Sequence, residues 1–167
     1  MQVAVTLPFE QSPSVVLGAL GDEEFIRYAT ERADATITQF DRNPSPEGDL
    51  MVVVRRTVPT ELIPPQARTF VGSELEIRQV EAWSRPLEGP DGARYGTVAL
   101  EVLGAKVTAS GTAVLTPADT GSSLAYDLIV RSSLPLVGSV VEQKVGRGLQ
   151  QAIEILGEAL RDWLAQK

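Results

Sequence analysis

From about Leu136 to Gln166 the sequence holds one helical pattern, and it limits the possible folds more than any other feature. Val137, Val141, Val145, Leu149, Ile153, Leu156, Leu160 and Trp163 or Leu164 recur at steps of three and four. That spacing lays one broad apolar stripe along a helix of roughly 30 residues, about 45 Å long. Lys144, Arg147, Gln151, Glu154, Glu158 and Arg161 fall on the opposite side. Such a helix must lie across something large and apolar. The only candidate is a sheet built from the segments before it.

Those segments supply one. In QVAVTLPF the apolar residues Val3, Val5, Leu7 and Phe9 alternate strictly, the pattern of a half-buried strand. Two short helices follow: SPSVVLGAL, with Ser12 at the N-cap and Pro13 in the first turn, and EEFIRYATER, capped by Asp22. From Ala35 the period changes to two. ATITQFDR and DLMVVVRRTV flank the turn-rich NPSPEGD and predict a hairpin. PTELIPPQARTFVG reads as a long, proline-broken connection with room for a short helical turn. SELEIRQVEAW, RYGTVALEVLG, KVTASGTAVLTP and SSLAYDLIVRSS are then strands, separated by breaks short enough for antiparallel neighbours. No repeat or linker divides the chain, so residues 1–167 read as one domain of the α+β class.

Composition narrows the chemistry. With 22 acidic against 15 basic residues the net charge is -7, which argues against nucleic acid as a partner. There is no cysteine and no histidine. Thiolate chemistry, Ser-His-Asp triads and HExxH zinc sites are excluded, so any catalysis would fall to carboxylates, Lys, Tyr or water. GRGLQQ from Gly146 has two glycines of a dinucleotide fingerprint but lies inside the helix, with no strand feeding it. No metal or cofactor is expected. No signal peptide or membrane span is legible, and the expected location is the cytoplasm.

The order of elements, with the opening LPF strand, EAW at Glu81 to Trp83, GTAVL at Gly111 to Leu115, PLVGSVVE entering the helix and WL near its end, resembles the START-like or SRPBCC superfamily. Within it the chain looks like an uncharacterised actinobacterial branch of unknown function. The resemblance implies a helix-grip fold. A curved antiparallel sheet of six to seven strands would wrap around the long C-terminal helix, with two short helices after the first strand. It also implies a cavity between sheet and helix for a small hydrophobic molecule, lipid-like or polyketide-like.

Alternation assigns the inner face. Leu75, Ile77, Gln79, Glu81 and Trp83 share one side of their strand, opposite the charged Glu74, Glu76 and Arg78. Val98, Leu100 and Val102 point the same way, as do Ala109, Gly111 and Ala113, and Tyr126 and Leu128 on the last strand. Val52, Val54 and Arg56 fit the inner face, although Met51, Val53 and Arg55 fit nearly as well. The expected ligand-binding set is therefore Arg56, Gln79, Glu81, Trp83, Val98, Leu100, Ala109, Gly111, Ala113, Tyr126 and Leu128. The helix adds Gly138, Val141, Glu142 and Val145. Small residues at Ala109, Gly111, Ala113 and Gly138 suggest space for a ligand, in a pocket of about 300–1,000 Å³. Arg56 and Glu81 read either as an ion pair at the sheet rim or as an anchor for a ligand's polar group.

Glu142 carries a separate question, because it lies on the stripe with Val137, Val141 and Val145. Ser139-Val140-Val141-Glu142 matches a capping box, which satisfies the carboxylate without any ligand. The alternative extends Glu142 into the cavity as an anchor or base. For the whole chain the leading reading is a ligand-binding domain, monomer or homodimer. A cyclase- or aromatase-like enzyme using carboxylates is the alternative, as is a ligand-free interaction domain.

Overall fold

The computed structural model of the chain describes residues 1–59, 65, 68–69 and 74–167. Along it run β1 (Gln2–Phe9), α1 (Pro13–Leu20), α2 (Glu23–Arg32), β2 (Thr36–Pro44), β3 (Leu50–Pro59), β4 (Glu74–Trp83), β5 (Arg94–Leu103), β6 (Val107–Pro117), β7 (Ser122–Ser132) and α3 (Gly138–Ala165). The proline-broken connection expected at 59–72 lies almost wholly outside the described residues.

All seven strands form one antiparallel sheet in the order β1-β7-β6-β5-β4-β3-β2. The helices α1 and α2 carry the chain from one edge strand, β1, to the other, β2. Pro13 starts α1, but the Ser12 side chain caps nothing; Asp22 does cap α2, accepting from the Glu24 amide at 2.9 Å. Hydrogen-bonded register sets the concave face in rows. Leu50, Trp83, Gly96, Ala113, Tyr126 and Val5 form one row, and Val52, Glu81, Val98, Gly111, Leu128 and Val3 the next. Val54, Gln79, Leu100, Ala109 and Val130 form a third, followed by Arg56, Ile77, Val102 and Val107. Arg56, not Arg55, therefore shares the inner face.

The long helix packs on β1, β7 and α2. Val141, Ile153, Ala159 and Leu160 are buried along it. Near its end Trp163 meets Phe25 and Tyr28 of α2 at ring-centroid distances of 5.9 and 5.4 Å. Arg32 pairs with Asp162 there at 2.6 Å.

The start of α3 departs from expectation. The helix begins at Gly138 rather than Leu136, because the Val137 amide turns back to the Pro135 carbonyl at 2.8 Å. That places Leu136 at φ 67° in the rarer form of γ-turn, which no helix can continue. Val137 is the N-cap and Ser139 lies inside the helix, so the capping box does not form. Instead Glu142 Oε1 accepts the Ser132 amide of β7 at 2.8 Å, and Oε2 lies 3.6 Å from the amino group of Met1. The Ser132 amide, chiefly, holds the Glu142 carboxyl below its ordinary value. Glu142 ties the helix to the end of β7.

The glycines also serve packing. A Cβ on Gly111 would sit 2.0 Å from the Asp127 carbonyl oxygen, so β7 crosses β6 too closely there for any side chain. At Gly138 it would meet the Ser132 carbonyl at 3.4 Å, and at Gly157 the Leu7 side chain at 2.8 Å. The expectation that Gly111 leaves room for a ligand gives way to close backbone approach, while a Cβ on Gly138 would make ordinary contact with β7. Gly148 alone on α3 faces open space.

This packing can be tested at two points. Gly111→Ala should destabilise the fold by about 1–3 kcal/mol, whereas Gly148→Ala should stabilise it by about 0.5–1 kcal/mol, both read from urea unfolding. Glu142→Gln should be nearly neutral because its amide oxygen still accepts from Ser132, whereas Glu142→Ala should lower the melting temperature. The folded-state carboxyl titrates below 4.5. Its contribution is therefore complete above that value and lost as pH falls through the depressed one. The gap between wild type and Glu142→Ala should accordingly close on acidification.

Candidate functional site

Five polar or aromatic side chains meet on the concave face between β3, β4 and β7. Period-two alternation on β4 turns Gln79, Glu81 and Trp83 inward together, with apolar neighbours on the adjoining strands. Glu81 is 8% exposed and Trp83 2%. A carboxylate this deep needs donors, and its own strand supplies them. Gln79 Nε2 donates to Glu81 Oε1 at 2.6 Å, and Trp83 Nε1 donates to Oε2 at 3.0 Å. The Trp83 indole has room because its neighbour on β5 is Gly96, where a Cβ would lie 2.9 Å from the ring.

Arg56 and Tyr126 also act on this carboxylate. Arg56 keeps some accessible surface along its chain, but its Nε is enclosed and has no hydrogen-bond partner. The Tyr126 hydroxyl is likewise enclosed; it makes no well-formed hydrogen bond, and it acts on Glu81 through charge and a loose hydrogen bond. Burial pushes the Glu81 pKa up, against the Trp83 and Gln79 hydrogen bonds and the charge of Arg56. Burial, and then Glu81, raises that of Tyr126 well above the ordinary phenol value. Desolvation lowers that of Arg56. The expected ion pair is thus replaced by a looser arrangement. Arg56 and Glu81 act on each other through space, while the Glu81 oxygens are taken by Gln79 and Trp83.

Beside this cluster the described inner-face side chains are less deeply buried. The long helix does not pack on β3, β4 or β5 as it does on β1 and β7. Ile77, Gln79, Leu100 and Val102 keep accessible surface on the sheet, as do Val145, Leu149 and Leu156 on the apolar stripe of α3.

The expected site residues divide accordingly. Arg56, Gln79, Glu81, Trp83 and Tyr126 come together. Leu100 and Val145 keep accessible surface on the sheet and on the helix. Val98, Ala109, Ala113, Leu128 and Val141 are sealed into the solid core, and Gly111 and Gly138 lie against β7. Glu142 is bound to β7. Ile77, Val102, Leu149 and Leu156 were absent from the expected set, although their inward or stripe positions were legible. Two concavities lie elsewhere. One of about 580 Å³ is lined by Gly18, Gly21, Asp22, Glu23, Phe40, Asp41 and Arg42, and one of about 560 Å³ by the β4–β5 loop with Tyr95 and Pro117. Neither lies between α3 and the sheet. Among the described residues no cluster of His, Cys, Asp and Glu is arranged for a metal, and no helix is long and apolar enough to cross a membrane.

Comparison with known proteins places this architecture. A structure of TTHA0849 from Thermus thermophilus is similar at a TM-score of 0.60 and 14% identity, covering 97% of this chain and 95% of that one. A STAR-related lipid transfer protein from Xanthomonas axonopodis (fragment 25-204) is similar at 0.51 and 18%, covering 95% and 83%. At these identities the likeness is one of fold. In sequence the chain is 27% identical over 111 residues to the uncharacterized protein Mb0491c of Mycobacterium bovis, and equally to Rv0481c of Mycobacterium tuberculosis. These matches cover 65% of this chain and 62% of either relative, so less than two thirds of their length is spanned. A family profile matches residues 4–164, and the chain belongs to that family, described as Protein of unknown function (DUF2505).

Proposed function

We propose that the protein binds a small hydrophobic molecule between α3 and the concave face of β3, β4 and β5, acting as one START-like unit over residues 1–167. One observation carries this reading. The helix leans on β1, β7 and α2, and inner-face apolar side chains on the other half of the sheet keep accessible surface. A core meant only for stability would close over Ile77, Leu100 and Val102, since each buried methylene contributes about 0.8 kcal/mol. Apolar walls with a few convergent polar groups are also what a small-molecule site requires. The fold shared with a STAR-related lipid transfer protein supports the same class of ligand. The cyclase-like alternative needs a carboxylate able to move a proton, and both oxygens of Glu81 are already engaged.

Nile red fluorescence tests the reading. The dye should bind with micromolar-class affinity, and Leu100→Trp and Leu149→Trp, which fill the space from opposite walls, should each weaken it by about tenfold. Ile129→Trp, on an exposed position of β7, should leave binding unchanged. Dye binding untouched by both filling substitutions but lost on Phe40→Ser would move the site to the concavity beside α1 and α2 and overturn the proposal.

A further inference from the structure

One apolar side chain stands clear of its own fold. Leu136 is fully exposed, and Val140, one helical turn into α3, is 42% exposed. A lone surface leucine is ordinary, but this one is held in place. Leu134 beside it is buried, the Ser133 amide donates to the Lys106 carbonyl at 3.1 Å, and the γ-turn fixes Leu136 at φ 67°. Glycine would adopt that backbone freely, whereas leucine strains it. A strained residue whose side chain packs on nothing in its own fold points to an external contact.

The charges around it decide the kind of contact. Lys106, between β5 and β6, and Arg131, near the end of β7, are exposed at the same end of the sheet as Leu136. Lys144 and Arg147 follow Val140 on the exposed side of α3 at steps of four and three. Among the described residues the acids at this end are Glu142, bound to the Ser132 amide, and Glu74, three strands from β7. Further back, Glu76 pairs with Arg55, and Glu101 stands opposite Arg78. The β2–β3, β4–β5 and β6–β7 connections, at the other end, hold Glu47, Asp49, Glu88, Asp91 and Asp119 against Arg85 and Arg94. The end bearing Leu136 is thus positive on a chain of net charge -7.

We propose that this end docks on the surface of a bilayer rich in anionic lipid, with Leu136 and Val140 entering the headgroup layer and Lys106, Arg131, Lys144 and Arg147 meeting the phosphates. Depth agrees with this order. Lys144 lies one helical turn, about 6 Å, behind Val140, and apolar side chains at an interface enter by about 5–10 Å. A protein partner would have to recognise a single knob, far less surface than a specific protein interface buries. A bilayer asks only for apolar surface flanked by positive charge. It also repels the acidic remainder of the chain, which leaves one direction of approach. So few apolar groups give reversible attachment, not insertion. Docking of this kind does not depend on the ligand-binding reading.

Co-sedimentation of the full chain with vesicles tests the proposal, using phosphatidylcholine alone and phosphatidylcholine with about 30% phosphatidylserine at low salt. The protein should bind the mixed vesicles about tenfold more tightly than the neutral ones, and lose that advantage in about 1 M salt. Leu136→Gly suits the backbone, so it should hold or raise the melting temperature, yet weaken binding about tenfold. A purely structural role for Leu136 would move neither binding nor its salt dependence. Lys106→Gln and Arg131→Gln should each weaken binding about fivefold. Tyr95→Ser removes an exposed aromatic at the opposite end and should leave binding unchanged. Wild type left in the supernatant, mixed-vesicle binding intact in Leu136→Gly, or binding indifferent to both charge substitutions would overturn the proposal. So would a wild-type dimer that Leu136→Gly dissolves, which would assign the knob to a second copy of the chain.

Discussion

The long helix is tied near its start to β7 and near its end to α2, which itself packs on β2, and these ties fix how it crosses the concave face. Near its start Glu142 accepts the Ser132 amide at the end of β7. Along its length Gly157 allows the Leu7 side chain of β1 to come close. Near its end Trp163 packs on Phe25 and Tyr28, and Asp162 pairs with Arg32. Every one of these contacts is to β1, β7 or α2. Once the helix is fixed there, its stripe is too narrow to cover a seven-stranded concave face. Among the described residues, the helix does not pack on β3 to β5 as it does on β1 and β7.

Curvature sets the second half of the arrangement. A sheet that grips a helix must coil, and at Gly111 the backbone of β7 comes within contact of β6 where any Cβ would intrude. Small residues on β5 and β6 therefore do not mark empty space. Gly96 accommodates the Trp83 indole, and Ala113 lies between Gly96 and Tyr126 in the same row. Narrowing the middle strands in this way lets large side chains from β4 and β7 converge over them. The polar cluster is a product of that convergence, which is why its members come from strands far apart in the sheet order.

How much of this was legible depends on the range of the signal. Alternation is local and rigid, so it correctly turned Gln79, Glu81, Trp83 and Tyr126 inward, and register decided the ambiguity between Arg55 and Arg56. The stripe on α3 and the two short helices were equally readable, from period, from Pro13 at the start of α1 and from the capping Asp22 of α2. Glu142 was misread because its partner, the Ser132 amide, lies across a turn that the capping-box pattern ignores. That turn contains Leu136 at positive φ, a conformation that sequence gives no reason to expect of leucine. Gly111 was misread for a related reason. A missing side chain looks the same in sequence whether it admits a ligand or a neighbouring backbone, and only the distance to Asp127 separates the two.

The retention of Arg56, Glu81 and Tyr126 inside an apolar fold has a physical logic that stability alone does not supply. Buried charges are a poor source of stability, since apolar residues of similar volume in their place are often neutral or stabilising by about 1–4 kcal/mol. An apolar cleft by itself is a weak judge of ligands: one methylene more or less changes affinity by only about 1–3 kcal/mol. Walls such as Leu100, Val102 and Leu149 would thus sort molecules by length and bulk and by little else. Donors held rigidly at one end add a discrimination that apolar surface cannot, because a ligand lacking the matching acceptor leaves them unpaired. Gln79 and Trp83 matter for the same reason. Each donates to one oxygen of Glu81 and so fixes the carboxylate in the position from which it acts on Arg56 and Tyr126.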